Sequence, residues 1–218
     1  KQIAVLLAGD ITDWSQVGGY AGSVNVHARD AISGAYDTIN RLVLRPHNKR
    51  FRGSAKSYES VAALADAVAK DRNGIGFVGL PFAQRAKIIA VADSDEVAPL
   101  LPTPFTVATE DYPLARRLYF YVPDQSANSH ARGIADFALS QTGQTIVEKE
   151  GFVSHILHTT KPAITRAMPD SYVSLIKNAE RVSLNFRFKS GSSDLDAKSK
   201  HDLERLLRYM QARKNKRL

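Results

Sequence analysis

Short apolar runs alternate with helical patterns along the body of the chain, and this alternation narrows its fold more than any other feature. Val24–Ala28 alternates apolar and polar side chains, which is typical of a strand. Ser33–Leu44 predicts a helix that is entered at a serine cap and closed before Pro46. A second helix is predicted over Ser60–Lys70 and a buried strand over Ile75–Val78. Strands that alternate with helices in this way predict an α/β fold.

The pattern continues further along the body. We predict another buried strand over Lys87–Ala92 and an aromatic-rich strand over Arg117–Val122. Helices are predicted over His130–Leu139 and Gln144–Glu148, separated at Thr142-Gly143.

The C-terminal part differs from the body in both pattern and charge. Residues 158–180 lose periodicity and gather Thr, Lys and Pro, so we predict a linker there. Val182–Phe188 then predicts a half-buried strand, and Asp202–Met210 an amphipathic helix. Residues 181–218 hold 11 Lys and Arg against 4 Asp and Glu, whereas residues 1–180 hold 19 against 18. Because nucleic acid is bound mainly through many phosphate contacts, the near-neutral body predicts no nucleic-acid partner.

Motifs of the common enzyme classes are missing. There is no Gly-x-Ser-x-Gly elbow, Walker loop or dinucleotide fingerprint, so we expect no enzyme and no cofactor. The sequence has no cysteine, and His155 and His158 lack acidic neighbours at ligand spacing, so we expect no metal site. No initiator Met and no signal peptide precede the apolar segment that follows Lys1, and we expect the chain to have been cut or processed.

The junction between the first predicted strand and helix carries the chemistry. A helix start has unpaired N–H groups and a positive dipole end, so it holds an anion without a net-charged pocket. Ser33 can cap the helix or donate its hydroxyl to a ligand, and Gly34 lets that ligand approach the backbone. Arg29 can add a bidentate clamp. Each residue also has an ordinary explanation, as a helix cap or a surface ion-pair partner.

Four landmarks in a fixed order place this junction in context. They are Leu6-Leu7-Ala8-Gly9-Asp10-Ile11-Thr12-Asp13-Trp14, Arg29…Ser33-Gly34, Gly74-Ile75-Gly76-Phe77-Val78-Gly79 and Tyr112-Pro113-Leu114-Ala115-Arg116. In this order they resemble the phosphate-binding components of ABC importers, which are type 2 periplasmic binding proteins. The resemblance implies two α/β lobes that close on a dehydrated oxyanion in the periplasm, with an ABC permease as partner.

The resemblance also implies a domain plan and a binding site. Residues 1–157 correspond to a partial domain, incomplete at its N-terminus, with the second lobe over 1–108 and a return into the first lobe over 109–157. We therefore expect at most half of the site in this sequence. The implied site residues are Arg29, Asp30, Ser33, Gly34 and Ala35.

Two positions depart from the family pattern. Ala31 stands where the family has a proton-accepting Asp, and Ala35 where it has Thr. A buried carboxylate is what repels a fully deprotonated anion, so the choice between phosphate and sulfate stays open. Asp30 is the candidate that can replace the missing carboxylate.

The tail carries a second resemblance. Arg181–Phe188, Gly191–Leu195 and the following helix resemble the opening strand and first helix of an OmpA-like domain, which binds peptidoglycan. Residues 181–218 are therefore predicted as the beginning of a truncated α+β OmpA-like segment. The alternative function is a cell-envelope tether that retains a degenerate binding lobe, which Ala31 and Ala35 favour.

Overall fold

The strand predicted next to the candidate site is the centre of a parallel sheet. In the computed structural model, which describes residues 1–123 and 129–213, β1 (Asn25–Arg29) lies between β2 (Lys56–Tyr58) and β3 (Gly74–Gly76). Both neighbours run parallel to it, and Arg29 faces Tyr58 across the ladder. Parallel neighbours need crossover connections, and helices supply them here. The predicted α/β fold is confirmed.

Helices connect and cover these strands. α1 (Gln2–Ala8) precedes the sheet, α2 (Gly34–Ile39) follows β1, and α3 (Val61–Lys70) joins β2 to β3. α2 continues without a break as a π-type turn over Asn40–Leu44, so the helix predicted up to Leu44 is confirmed in extent. α3 begins after Ser60, whose Oγ accepts the Ala63 N–H at 3.3 Å.

One apolar core holds this part of the chain together. Its members come from α1, β1, the π-type turn and β3, and Leu114 packs against them from a later segment. The buried members are Ala4, Leu6, Leu7, Val24, Val26, Ile39, Val43, Leu44 and Ile75. The core includes Val26 of β1 and Ile39 of α2, so both elements that flank the β1–α2 junction are anchored in it.

Two predicted strands do not form. In the stretch Lys87–Ala92 only Val91 makes a bridge, to Leu100, and Ile88 and Ile89 are exposed. Arg117–Val122 joins no sheet in the described part of the chain, and its apolar side chains from Leu118 to Tyr121 are 64–90% exposed. An apolar run becomes a strand only where another strand satisfies its backbone, and the run itself does not identify that neighbour.

The chain divides into two compact units. One comprises Lys1–Leu101, Pro113–Tyr119 and Glu150–Phe152, and it contains the parallel sheet. The other comprises Pro102–Tyr112, Phe120–Lys149 and Val153–Leu218. Its elements are α4 (Pro104–Ala108), α5 (Ser129–Leu139), α6 (Gln141–Lys149), β4 (Thr159–Thr160), α7 (Asp170–Ile176), β5 (Arg181–Val182) and α8 (Ala197–Ala212).

The second unit confirms the predicted helices and shortens one strand. α5 and α6 are separated at Ser140 rather than at Thr142-Gly143, which lies inside α6. The predicted linker contains β4 and α7, and β4 pairs antiparallel with β5. The strand predicted over Val182–Phe188 reduces to β5, because beyond it Phe188 forms only a bridge to Leu195. None of the helices in residues 1–123 and 129–213 has both the length and the apolar character needed to cross a bilayer.

Candidate functional site

The turn between β1 and α2 leaves the start of the helix open. Ser33 is the N-cap: its Oγ accepts the Tyr36 N–H at 3.1 Å, and its own N–H donates to the Asp30 carbonyl at 3.1 Å. A hydroxyl that accepts one hydrogen bond still has a proton to donate. The N–H groups of Gly34 and Ala35 donate to no protein acceptor among the described residues. The turn therefore presents two amides and one hydroxyl to a ligand.

Arg29 ends β1 beside this turn. Its Nε donates to the Tyr58 carbonyl at 3.0 Å, across the β1–β2 ladder, and its side chain is 14% exposed. This bond fixes one edge of the guanidinium. No hydrogen bond from the described residues engages Nη1. A guanidinium held along one edge still has donors for an oxyanion.

Asp30 follows directly and carries an unsatisfied oxygen. Its Oδ1 is buried and accepts no hydrogen bond from the residues that the structure describes. Arg29 Nη2 lies 3.5 Å from Oδ1, close enough for ion pairing but without a hydrogen bond. A carboxylate can only accept hydrogen bonds, so this oxygen suits a ligand that brings its own proton.

A second guanidinium, which the sequence did not assign to the site, reaches the same helix start. A Cβ built on Gly34 would lie 3.0 Å from Arg116 Nη1 and 3.3 Å from Nη2. Arg116 thus packs against the bare Cα of Gly34, a contact that any side chain there would obstruct. No ion pair or hydrogen bond within residues 1–123 and 129–213 engages the Arg116 side chain. Its charge is available to a ligand at the turn.

A buried polar network stands behind Arg29. The His27 ring is 2% exposed; its Nδ1 lies 2.9 Å from the Tyr58 hydroxyl and its Nε2 2.9 Å from Asp71 Oδ2. Asn25 also donates to Asp71. Partial burial raises the pKa of the Asp71 carboxyl, but the hydrogen bonds from His27, Asn25 and a backbone amide lower it below its usual 3.8. Tyr58 links this network to Arg29, because its carbonyl holds the guanidinium and its hydroxyl contacts His27.

The structure brings all five predicted site residues to one turn. Arg29, Asp30, Ser33, Gly34 and Ala35 lie between the end of β1 and the first turn of α2. Ala31 in the same turn is exposed. Nothing among the described residues places three or more His, Cys, Asp or Glu side chains together for a metal ion.

The geometry can be compared with known families. A family profile described as a PBP superfamily domain matches residues 1–142, which is more than half of the 218-residue chain. The chain belongs to the PBP superfamily. The match includes the parallel sheet, the β1–α2 turn and Arg116, so the candidate site lies inside the region that defines membership.

Relatives of this PBP-superfamily chain include two named proteins. "Phosphate-binding protein PstS" of Borreliella burgdorferi is 30% identical over 165 residues, which cover 70% of this chain and 56% of the relative. "Protein SphX" of Synechococcus elongatus is 32% identical over 150 residues, covering 65% of this chain and 43% of the relative. The chain thus spans about half the length of these relatives.

Solved structures show the same fold. The crystal structure of PstS from Borrelia burgdorferi has a TM-score of 0.53 and 28% identity, covering 70% of this chain and 61% of that one. A substrate-binding protein of a putative phosphate ABC transporter from Clostridium perfringens, solved with bound phosphate, has a TM-score of 0.56 and 22% identity. That match covers 70% of this chain and 60% of the other, and it concerns the fold alone.

Proposed function

We propose that this PBP-superfamily chain takes part in the non-catalytic binding of a small oxyanion, with phosphate as the preferred ligand. We place this binding in the periplasm, where the protein would deliver the anion to an ABC permease for uptake or sensing. The name of the Borreliella burgdorferi relative, phosphate-binding protein PstS, supports the ligand class.

The observation that carries the proposal is the convergence of donors at the β1–α2 turn. Two free amides, the Ser33 hydroxyl and the Arg116 guanidinium lie at one helix start, and Arg29 ends the strand that leads into it. This set contains only donors and positive charge, apart from Asp30. Such a set binds tetrahedral oxyanions, because every ligand oxygen can accept.

Asp30 is the residue from which we expect the site to prefer phosphate. At neutral pH phosphate carries a proton on an oxygen, whereas sulfate carries none. Asp30 Oδ1, which is buried and unsatisfied, accepts a hydrogen bond from the protonated phosphate oxygen. It repels an anion that has no such proton. Asp30 thereby takes the role of the carboxylate that Ala31 cannot supply.

Calorimetric titration of the full-length protein tests the proposal. We expect heat with phosphate, weaker binding of sulfate, and loss of phosphate binding in Arg29→Ala. Lys70→Ala, which removes an exposed charge at the end of α3, is the control and should bind as wild type. No heat with either anion would overturn the proposal.

The C-terminal segment supports a separate proposal. We propose that residues 181–218 open an OmpA-like domain that attaches the protein to peptidoglycan. β5 is followed by α8, and this order of strand and helix is the one that was predicted. The N-cap of α8 is Asp196, whose side chain accepts a hydrogen bond from the Ser199 N–H at 2.7 Å. Sedimentation of the full-length protein with purified peptidoglycan tests this role, and a protein that stays in the supernatant would contradict it.

A further inference from the structure

A basic segment follows the candidate site along the chain. Between Thr38 and Tyr58 the sequence has six Lys and Arg residues and no Asp or Glu. The rest of the body, residues 1–180 without this segment, holds 13 Lys and Arg against 18 Asp and Glu, so this segment concentrates positive charge on one part of the first unit. The phosphate site uses none of these six residues.

The segment forms one side of an open groove of about 830 Å³. The residues that matter along it are Tyr36, Arg45, Asn48, Lys49, Arg50 and Phe51. This volume is in the range of sites for small organic ligands. The groove begins at Tyr36, about one helical turn after the N-cap Ser33. The Ser33 Oγ accepts the hydrogen bond from the Tyr36 N–H.

The positive charge of the groove is largely uncompensated. No ion pair or side-chain hydrogen bond of the described residues engages Arg45 or Arg50. Lys49 Nζ lies 2.8 Å from Asp10, but both side chains are exposed, and surface pairs of this kind are weak. The groove therefore offers two free guanidinium groups and a partly paired ammonium.

A sharp turn sets the positions of these charges. Asn48 adopts the left-handed conformation, with φ of 53°, at the end of the helical stretch. The chain then turns back, and the Lys49 N–H donates to the Leu44 carbonyl at 2.9 Å. Arg45 before the turn and Arg50 after it both line the groove, and the turn fixes the backbone from which they extend.

Aromatic rings line the same groove. The ring centroids of Tyr36 and Phe51 are 4.5 Å apart, and Phe51 contacts Phe77 of the half-buried interior at 5.6 Å. A row of packed rings is rigid and presents an apolar surface on which a flat ring can stack. An inorganic anion has no ring that could stack on such a surface.

We infer that this groove is a second ligand site, for a small molecule that carries an aromatic ring and two or more phosphate groups, as a nucleoside diphosphate does. Arg45 and Arg50 would bind the phosphates, and the ring would stack beside Tyr36 and Phe51. This site goes beyond the proposed oxyanion site and is distinct from it in residues and in ligand class.

Titration of the full-length protein with ADP, pyrophosphate and adenosine tests the inference, in an Arg29→Ala background that disables the phosphate site. We expect ADP to bind about tenfold more tightly than pyrophosphate or adenosine, because only ADP engages both rings and charges. Pyrophosphate binding as tight as ADP, or no ADP binding at all, would overturn the inference. This comparison varies the ligand only, so it does not depend on the folding of a groove variant.

Two charge-matched double variants complete the test. Arg45→Glu/Arg50→Glu should weaken ADP binding by more than about tenfold, whereas Arg41→Glu/Lys56→Glu, in the same basic segment but outside the groove, should change it by less than about threefold. Equal losses in both would show diffuse charge attraction and would contradict a site. With Arg29 intact, Arg45→Glu/Arg50→Glu should still bind phosphate, which separates failure here from failure of the proposed function. Retention on a heparin column without ADP binding would indicate a polyanionic macromolecule and would also overturn the inference.

Discussion

At the scale of single residues, the contact between Arg116 and Gly34 can be used to test the proposed site by substitution. Gly34→Ala places a methyl group 3.0 Å from Arg116 Nη1, so the guanidinium must shift by a few tenths of an ångström. We expect phosphate affinity to fall about tenfold in Arg116→Ala, the effect of one charge-assisted hydrogen bond, and by less in Gly34→Ala, which keeps the guanidinium.

Stability and additivity distinguish this effect from misfolding. Alanine favours helices more than glycine, so Gly34→Ala should not lower the melting temperature. The double variant Gly34→Ala/Arg116→Ala should lose no more affinity than Arg116→Ala alone. The Arg116→Ala substitution already removes the guanidinium on which Gly34→Ala acts. Additive losses in calorimetry would show that Gly34 acts independently of Arg116.

We expect Asp30 to set the ratio of phosphate to sulfate affinity. In Asp30→Asn the side chain can donate as well as accept, so it no longer repels an oxyanion without a proton. We expect the phosphate-to-sulfate affinity ratio to fall about tenfold, mainly because sulfate binds more tightly. Competition titrations at neutral pH measure the ratio. An unchanged ratio would show that Asp30 does not discriminate between phosphate and sulfate.

The residues that the sequence predicts for the site are those whose chemistry is local. A serine cap, a following glycine and a strand-ending arginine are read from neighbouring positions, and all five predicted residues lie at the turn. Arg116 could not be found this way, although it ends the landmark Tyr112-Pro113-Leu114-Ala115-Arg116. Its role depends on a contact with Gly34 that only the folded chain creates.

At the scale of elements, the packing of α3 on β3 depends on Gly76. A Cβ there would lie 2.7 Å from Val68 Cγ2, 3.0 Å from Leu64 Cδ2 and 3.0 Å from the His27 carbonyl. Gly76→Ala should therefore cost about 2 kcal/mol of the free energy of unfolding, as overpacked cores do. Chemical denaturation measures this cost.

Gly53 provides the matched control for this substitution. A Cβ at Gly53 meets no heavy atom within 4 Å. Gly53→Ala should change the free energy of unfolding by less than about 0.5 kcal/mol. Equal effects at the two glycines would contradict the helix-on-strand packing described here.

The network of His27 and Asp71 predicts an acid dependence of stability. The folded pKa of Asp71 lies below 3.8, so the unfolded chain binds more protons there, and the stabilisation is lost as pH falls through that lowered pKa. We expect the difference in unfolding free energy between wild type and Asp71→Asn to be largest near neutral pH and to shrink below pH 3.8. Urea denaturation at a series of pH values measures it. A constant difference would show that Asp71 contributes no charge-dependent stability.

Elements were predictable where amphipathic periodicity and a cap coincide. α3 begins after a capping side chain and was predicted, whereas the helix predicted over Asp202–Met210 begins at Ala197 as α8 and α1 was not assigned. Strand predictions failed where an apolar run did not join a sheet in the described chain: Lys87–Ala92 makes only the Val91–Leu100 bridge, and Arg117–Val122 is part of no described sheet. Helices satisfy their own backbone, but strands depend on distant segments, which explains the asymmetry.

At the scale of the whole molecule, the α/β class followed from the alternation of elements, but the division into two units did not. Each unit is assembled from three separate stretches of chain, and such interleaving leaves no local sequence signal. The predicted boundaries near residues 108, 157 and 180 therefore stay predictions about domains of the full-length protein.

The central claim is that the β1–α2 turn holds the anion. Crystals of the full-length protein grown with arsenate, a phosphate analogue with a strong anomalous signal, test it most directly. The account predicts an anomalous peak within about 4.5 Å of the Ser33 hydroxyl, the Ala35 amide and the guanidinium groups of Arg29 and Arg116, because the arsenic atom lies one As–O bond beyond the oxygens that accept the hydrogen bonds. A peak elsewhere in the protein, or an arsenate-binding protein with no peak at this turn, would contradict it.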